Sequence, residues 1–441
     1  MNSTIFSKKS VKYILIGIIW LVIWEVASLI VHNSILLVGP FEVLLTLVKK
    51  CTEPDFYVSV ITSFLKIGLG FILGTFTGII LAVLSWRNKL TEDFLKPMMS
   101  LIKASPVASF VVLFLIWWHS NVLSVAICIC VVMPQLYVST LQGLKSADEE
   151  LLQMAGVFKL HPIDIYHYIY RPALYKFWEG AVKIAAGMAW KSGIAAEVIG
   201  TPDNSIGSSL YMSKIYLDTA GVLSYTAVII LLSVLCEHLL LILLKKYSEY
   251  DFKCHGSLNN TRTKKTIKSL KLENLAKSFN GNKVLKGYSA EFKEGFPITF
   301  DWPSGEGKTT LFKILAGVYE KDAGMILPEG YMISFLFQED RLVEGITAIK
   351  NVELVCGSVQ TAHDVLIQIL DEEDIYKPVE ALSGGQKRRV AIARACAAAS
   401  EVALFDEPYE GLDAETKNAV RKLIYEYGSD KILLIASHIE V

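Results

Sequence analysis

Apolar positions fall into long unbroken runs before residue 246 and into short, charge-bounded runs after it. Five of the long runs, at about 12–31, 59–85, 99–118, 121–143 and 222–244, are long enough to cross a bilayer, which takes about 20 mostly apolar residues. A sixth, about 174–197, is less apolar and carries Lys183, Lys191 and Glu197. Counting it as a span closes the orientation. Lys8, Lys9 and Lys12, then Arg87, Lys89 and Lys96, then Lys245 and Lys246 all fall on one side, as the bias of basic loops toward the cytoplasm requires. Lys49 and Lys50 fall on the other side. The first run is followed by no small-residue cleavage site and reads as an anchor rather than a removed leader.

The pattern then changes. Residues 247–267 (YSEYDFKCHGSLNNTRTKKTI) are polar and read as a linker exposed to cytoplasm. Residues 268–441 have ordinary soluble composition. The expected architecture is therefore multidomain: an all-α transmembrane bundle of about six helices in 1–246, then an α/β domain in 268–441. Between the fourth and fifth spans, Asp148 to Leu174 shows two short amphipathic stretches on either side of Gly156, which permits a sharp turn. They predict a surface helical hairpin or a lever that docks on the soluble half.

Composition adds little to this. The 441 residues exceed one ordinary compact domain, and mean hydropathy is +0.42. A net charge of −1 implies no nucleic-acid partner. The seven cysteines show no metal-type spacing, and Cys254-His255 has no second pair to accompany it.

The chemistry lies in the second half. Ile298-Thr299-Phe300 is strand-like and leads into Pro303-Ser304-Gly305-Glu306-Gly307-Lys308-Thr309-Thr310, most of a phosphate-binding loop, with a helix after it. Backbone N–H groups of such a loop and helix N-terminus point at phosphate oxygens. Lys308 is placed to neutralise the β/γ-phosphates of ATP and Thr309 to hold Mg²⁺ through its hydroxyl. The apolar strand Val402–Phe405 ends at Asp406, within reach of the metal through water, and at Glu407, placed to orient or deprotonate an attacking water. Between them, Leu382-Ser383-Gly384-Gly385-Gln386 opens a helix and forms an anion site of freed N–H groups. One departure stands out: the loop's first glycine is Trp302, preceded by Asp301. A left-handed Trp there would cost ~1–2 kcal/mol. Either Asp301 turns away and Trp302 packs on the sheet edge, or nucleotide affinity is weakened; the intact remaining positions favour retained binding.

These motifs, in this order, resemble the ATP-binding domain of ABC transporters. Ala155-Gly156 with Ile169 and Pro172 resembles the cytoplasmic loop of ABC importer permeases, although Glu149-Glu150-Leu151-Leu152 stands where that loop usually opens. Ser105-Pro106-Val107-Ala108, Trp117-Trp118 and the run Ala189 to Ile199 are similar to permeases for nitrate, sulfonates and taurine. The resemblance implies further roles. Gln338 is the glutamine that senses Mg²⁺ and meets the transmembrane partner. His438 contacts the γ-phosphate, Phe279 stacks on adenine and Asp413 belongs to the D-loop. The Ser383-Gly384-Gly385 turn, with Gln386, grips the γ-phosphate bound by the other subunit.

The soluble half is short. Lys308 to Gln338 is 30 positions and the chain stops three residues past His438, which reads as an ABC ATPase with trimmed sheet insertions and no C-terminal helices. The expectation is an importer half with permease and ATPase fused, in the plasma membrane with its ATPase domain cytoplasmic. It would pair as a homodimer and be served by a separate extracytoplasmic solute-binding protein. The solute would be nitrate, a sulfonate, taurine or a pyrimidine precursor, with Lys191 and Glu197 as pathway residues. They are six residues apart, about 240° around a helix, and cannot pair. A regulatory or weakly hydrolysing protein is the alternative; an exporter half fits poorly because exporters lack the 148–172 pattern.

Overall fold

The computed structural model describes residues 8–261, 267–303 and 305–437. Two compact units divide it. One holds residues up to Ser146 together with Ala173–Tyr250; the other holds Ala147–Pro172 together with Asp251 onward.

The first unit is helical. Helix α1 (Lys8–Val31) precedes the short α2 (Pro40–Lys50) and the long α3 (Pro54–Arg87). Next come α4 (Lys89–Ala104), α5 (Val107–Trp117) and α6 (Ser120–Lys145). By length and composition α3, α6 and α11 (Thr219–Glu249) can each cross a membrane. The run expected as a third straight span is broken: α4 and α5 meet at 102°. Pro106 is the cause, since it drives Ser105 out of the helical region, to ψ 135°. Helix α3 lies tight against α6 along Gly70, Gly74 and Gly78. A Cβ at Gly70 would stand 2.6 Å from the Cβ of Cys128, and one at Gly78 would stand 2.7 Å from the Met133 carbonyl oxygen. Small residues four apart let helix backbones approach closely.

After α7 (Glu149–Val157) and α8 (Pro162–Ile165), which belong to the second unit, the first unit resumes with α9 (Arg171–Gly200). This is the expected sixth run, yet it falls outside the helices apolar enough to cross a membrane. It sits inside the bundle: Ala185, Ala189, Trp190 and Ile194 pack with Ile67, Cys128 and Val132. A helix enclosed by protein has no need of an apolar surface all round. Lys191 is exposed and Glu197 is fully buried. The Glu197 carboxylate accepts from Ser63 Oγ at 2.7 Å and from the Gly207 amide at 3.1 Å. It thereby pins α3 and the start of α10 (Ile206–Ile215) to α9.

The second unit contains two sheets. Strands β1 (Ser269–Phe279) and β2 (Asn282–Lys293) form a hairpin through Asn280 and Gly281, both at positive φ. Asn-Gly is the favoured sequence for such a turn. Strands β3 (Ile298–Phe300), β5 (Ile333–Leu336), β6 (Val402–Asp406) and β7 (Ile432–Ala436) form a parallel sheet in the order β3-β7-β6-β5, while β4 (Ala323–Leu327) joins the hairpin on β1. Helix α12 (Lys308–Leu315) follows β3. Helices α13 (Ala348–Cys356), α14 (Val359–Leu366) and α15 (Glu372–Ile375) lead to α16 (Gly384–Ala397), and α17 (Ala414–Gly428) closes the layer. Strands β5, β6 and β7 are buried along their whole length, as parallel strands covered on both faces must be.

Two expectations are corrected here. The turn after α7 falls not at Gly156, which is helical, but at Lys159, whose φ is +48°. The described part of the stretch read as a solvated linker is also partly helical and partly buried. Helix α11 runs on to Glu249, while Cys254, Ser257 and Asn259 are buried in the second unit.

Candidate functional site

The phosphate loop lies at the carboxyl end of β3, beside the carboxyl ends of β7 and β6. Ligands of such sheets bind at that edge. The left-handed backbone of the loop falls on Gly305 (φ +89°) and Gly307 (φ +94°), not on Trp302. A Cβ on Gly307 would stand 2.8 Å from Val284 Cγ1, so both backbone and space require glycine. Gly307 caps α12 without any side-chain bond, leaving its first amides for a ligand. Lys308 is buried, and Thr309 and Thr310 follow it in the first turn.

Trp302 is half-buried. Its ring meets Tyr288 edge-on at 5.0 Å and Phe300 edge-on at 5.3 Å. Asp301 is exposed. The departure from the usual loop sequence is therefore a packing residue at the sheet edge.

Asp406 ends β6. Burial pushes its carboxyl above the usual carboxylate range, opposed by a hydrogen bond to Thr309. Its Oδ2 is buried and has no hydrogen-bond partner among the described residues. Such an atom costs free energy unless something fills the position, and a hydrated divalent cation beside a phosphate fits that oxygen and the Thr309 hydroxyl. Glu407 follows with φ +48°, an unfavourable conformation for a side chain of this kind. It is held there from both sides. Its amide donates to the Ala436 carbonyl at 2.9 Å, and its own carbonyl accepts from Arg388 at 2.7 Å. Strain of this kind clusters at working sites.

Arg388 was not singled out from sequence. Its guanidinium donates to the carbonyls of Phe337, Gln338, Asp406 and Glu407 and to the Asp340 carboxylate. One buried fork thus ties the ends of β5 and β6 together. Arg394 does the same for the carbonyls of Asp340 and Arg341. The sequence signal was present: a buried-looking apolar run, Val390–Cys396, containing an arginine that must find acceptors.

Gln338 is exposed at the end of β5, its carbonyl held by Arg388. Phe279 is 38% exposed at the end of β1. Its ring meets Tyr319 edge-on at 5.4 Å with the Lys277 ammonium 5.4 Å away, so Tyr319 is a second aromatic at that corner. Ser383 caps α16. Its Oγ accepts from the Gln386 amide, and its own amide donates to Gln386 Oε1 at 2.8 Å. The Gln386 side chain amide also donates to buried Asp374. Gln386 thus acts on the shape of the turn, while Gly384 and Gly385 present its face. Asp413 caps α17 and is held below the usual carboxylate range by Thr416. Ser304 and His438 lie outside the described residues.

Residues 147–172 belong to this unit. Met154, Ala155, Val157, Phe158 and Leu160 are buried in one core with Leu270, Phe312, Phe335 and Leu434. Arg341, three residues after Gln338, donates to Gln153 on α7 at 2.9 Å.

A parallel sheet with a glycine phosphate loop after one strand, two acids closing another and a capped glycine pair opening a helix defines a P-loop nucleotide cassette. Comparison with known proteins places it. The ABC transporter profile matches residues 285–410, and that of the binding-protein-dependent transport system inner membrane component matches 74–249. The lipoprotein-releasing system ATP-binding protein LolD of Bacteroides thetaiotaomicron is 35% identical over 182 residues, 36% of this chain and 83% of that protein. The aliphatic sulfonates import ATP-binding protein SsuB of Rhodopseudomonas palustris is 37% identical over 177 residues, 37% of this chain; the chain spans 62% of its length. The dimeric post-hydrolysis structure of the ATP-binding cassette MJ0796 is 27% identical, covering 38% of this chain and 88% of that one with a TM-score of 0.36. The chain belongs to the ABC transporter family, with a permease module and an ATP hydrolase module on one polypeptide.

Proposed function

We propose that this chain is half of an ATP-driven importer for a small polar or anionic solute, and that two copies form the working unit. The observation that carries the coupling is the placement of residues 147–172. In sequence they lie inside the permease match, 74–249; in space they fold as part of the ATPase unit. A movement of the ATPase domain must therefore carry a piece of the permease with it.

Hydrolysis is assigned as follows. The amides of Gly305 to Thr309 and the Lys308 ammonium bind the phosphates of ATP. Thr309, Gln338 and Asp406 hold Mg²⁺, which when bound neutralises charge on the phosphate oxygens. Glu407 orients the water and accepts its proton. Phe279 stacks on the base. A Cβ on Gly384 would meet nothing within 4 Å among the described residues, so none of them demands glycine there. That fits a face reserved for the nucleotide of a second copy. ATP drives the cycle only if it binds the closed pair better than the open one.

The sulfonate specificity named for one relative is consistent with the permease resemblance, and small anions are the class to test. A separate extracytoplasmic solute-binding protein would deliver the solute to a chain held in the plasma membrane with its ATPase domain in the cytoplasm. The test is full-length protein in proteoliposomes with ATP inside or outside. Hydrolysis and solute movement that are both lost in Glu407→Gln support the function. Equal hydrolysis in wild type and variant would favour a regulatory protein instead.

A further inference from the structure

Several polar groups of residues 251–260 bond to residues of the second unit far away in sequence. Asp164, on α8, is 1% exposed. Its carboxylate accepts from the His255 amide at 2.9 Å, the Gly256 amide at 3.0 Å and the His255 ring at 3.1 Å. The next residues bond in two directions. Ser257 Oγ donates to the Phe158 carbonyl at 2.5 Å, while its amide donates to the Val355 carbonyl at 3.2 Å. The Leu258 amide donates to the Lys159 carbonyl at 2.9 Å, and the Asn260 side chain to the Val355 carbonyl at 2.9 Å.

Packing enforces the same path. Gly256 has φ +78°, and a Cβ there would stand 2.6 Å from the Cα of Gly357. Phe252 stacks on His167 at 3.6 Å and its carbonyl accepts from the Tyr168 hydroxyl at 2.8 Å. The segment therefore fills the groove between the coupling helices and the end of α13.

A buried carboxylate is costly unless its acceptors are satisfied. Here that requires coupling helix and linker to be assembled together. None of these partners belongs to the phosphate loop, the ends of β6 and β7, or the α16 cap. The assembly needs no nucleotide.

We propose that residues 251–260 are a clasp that keeps residues 149–171 seated on the ATPase domain in every nucleotide state. Fusion then does more than join two modules. The tether itself occupies the docking groove, at the high effective concentration that covalent linkage provides. The power stroke is transmitted through a joint that does not open.

The test is amide hydrogen exchange, read by mass spectrometry on the full-length protein in lipid nanodiscs. It is independent of transport and of hydrolysis, so failure of the clasp and failure of the importer function are separable. In the wild type, peptides from 149–171 and 251–260 should be equally protected without nucleotide and with ATP in a Glu407→Gln background. Asp164→Ala should raise their exchange about tenfold or more, since it leaves the buried Gly256 amide and the part-buried His255 amide without an acceptor, with β6 and α12 unchanged. Ser257→Ala, which removes the bond to the Phe158 carbonyl and the acceptor of the Asn259 amide, should raise it too, and it serves if Asp164→Ala does not fold. Protection of 149–171 that appears only with ATP overturns the clasp, as does unchanged exchange in the variants.

Discussion

The Arg388 guanidinium donates to the carbonyl of Glu407 at 2.7 Å, fixing the backbone of the expected catalytic base at φ +48°. The same group holds the carbonyls of Asp406, Phe337 and Gln338. The acid pair and the Gln338 loop are thus positioned by one side chain. Arg388→Ala leaves those carbonyls without a charged donor, at about 1–3 kcal/mol for each buried group left unsatisfied. Hydrolysis should fall about 100-fold and the thermal midpoint of the ATPase domain should drop. Arg388→Lys, which cannot fork, should recover only part of either. Wild-type turnover in Arg388→Ala contradicts the assignment.

Glu407→Gln should lower turnover by roughly 10²–10⁴, the usual contribution of a general base, with ATP affinity retained. Glu407→Asn should lose turnover likewise without losing stability, because Asn tolerates the left-handed region better than Glu. Equilibrium ATP binding, steady-state hydrolysis and thermal unfolding of the three proteins separate these effects.

Gly307→Ala places a methyl group at 2.8 Å from Val284 in a backbone at φ +94°. A left-handed alanine costs about 1–2 kcal/mol before the clash is counted. ATP affinity should fall at least tenfold while permease solute recognition is unaffected. Isothermal titration with ATP checks this; unchanged affinity would show that the loop can relax.

Trp302→Gly recreates the usual loop composition. If Trp302 impaired binding, this change would tighten it. Its edge-on contacts with Tyr288 and Phe300 predict the opposite. The ATPase domain should lose roughly 2–4 kcal/mol, toward the low end of buried Trp truncations, and ATP affinity should not improve.

His167 adds a pH dependence. Burial, with Arg171 beside it, holds its imidazole below the ordinary value of 6.5. The folded unit therefore prefers the neutral ring, and the unfolded chain binds more protons just below pH 6.5. Stability should rise with pH up to that value and be lost as pH falls beneath it. Thermal unfolding between pH 7.5 and 5.5 should show this slope, and His167→Phe, which keeps a ring over Phe252, should flatten it.

Much of the candidate nucleotide site was legible because it depends on local spacing. The strand Ile298–Phe300, the loop to Lys308 and the acids after β6 are contiguous motifs. The Asn280-Gly281 turn was equally local and was available to be read. What sequence did not yield depends on tertiary partners. Arg388 acquires its role only when the ends of β5 and β6 lie beside α16. Residues 251–260 look solvated by composition, yet Asp164, about 90 positions away, withdraws their amides from water. The α4–α5 bend was signalled by Pro106, which lies inside the apolar run that reads as one span.

The central claim is that each nucleotide is enclosed between two copies of the chain. Full-length protein with its native cysteines replaced, carrying Glu306→Cys, Ser383→Cys and Glu407→Gln, measures this directly in lipid nanodiscs with a short thiol crosslinker. A product of doubled mass, formed with ATP and Mg²⁺ and absent when either cysteine is omitted, is the predicted result. A protein that binds ATP yet never yields that product would contradict the account.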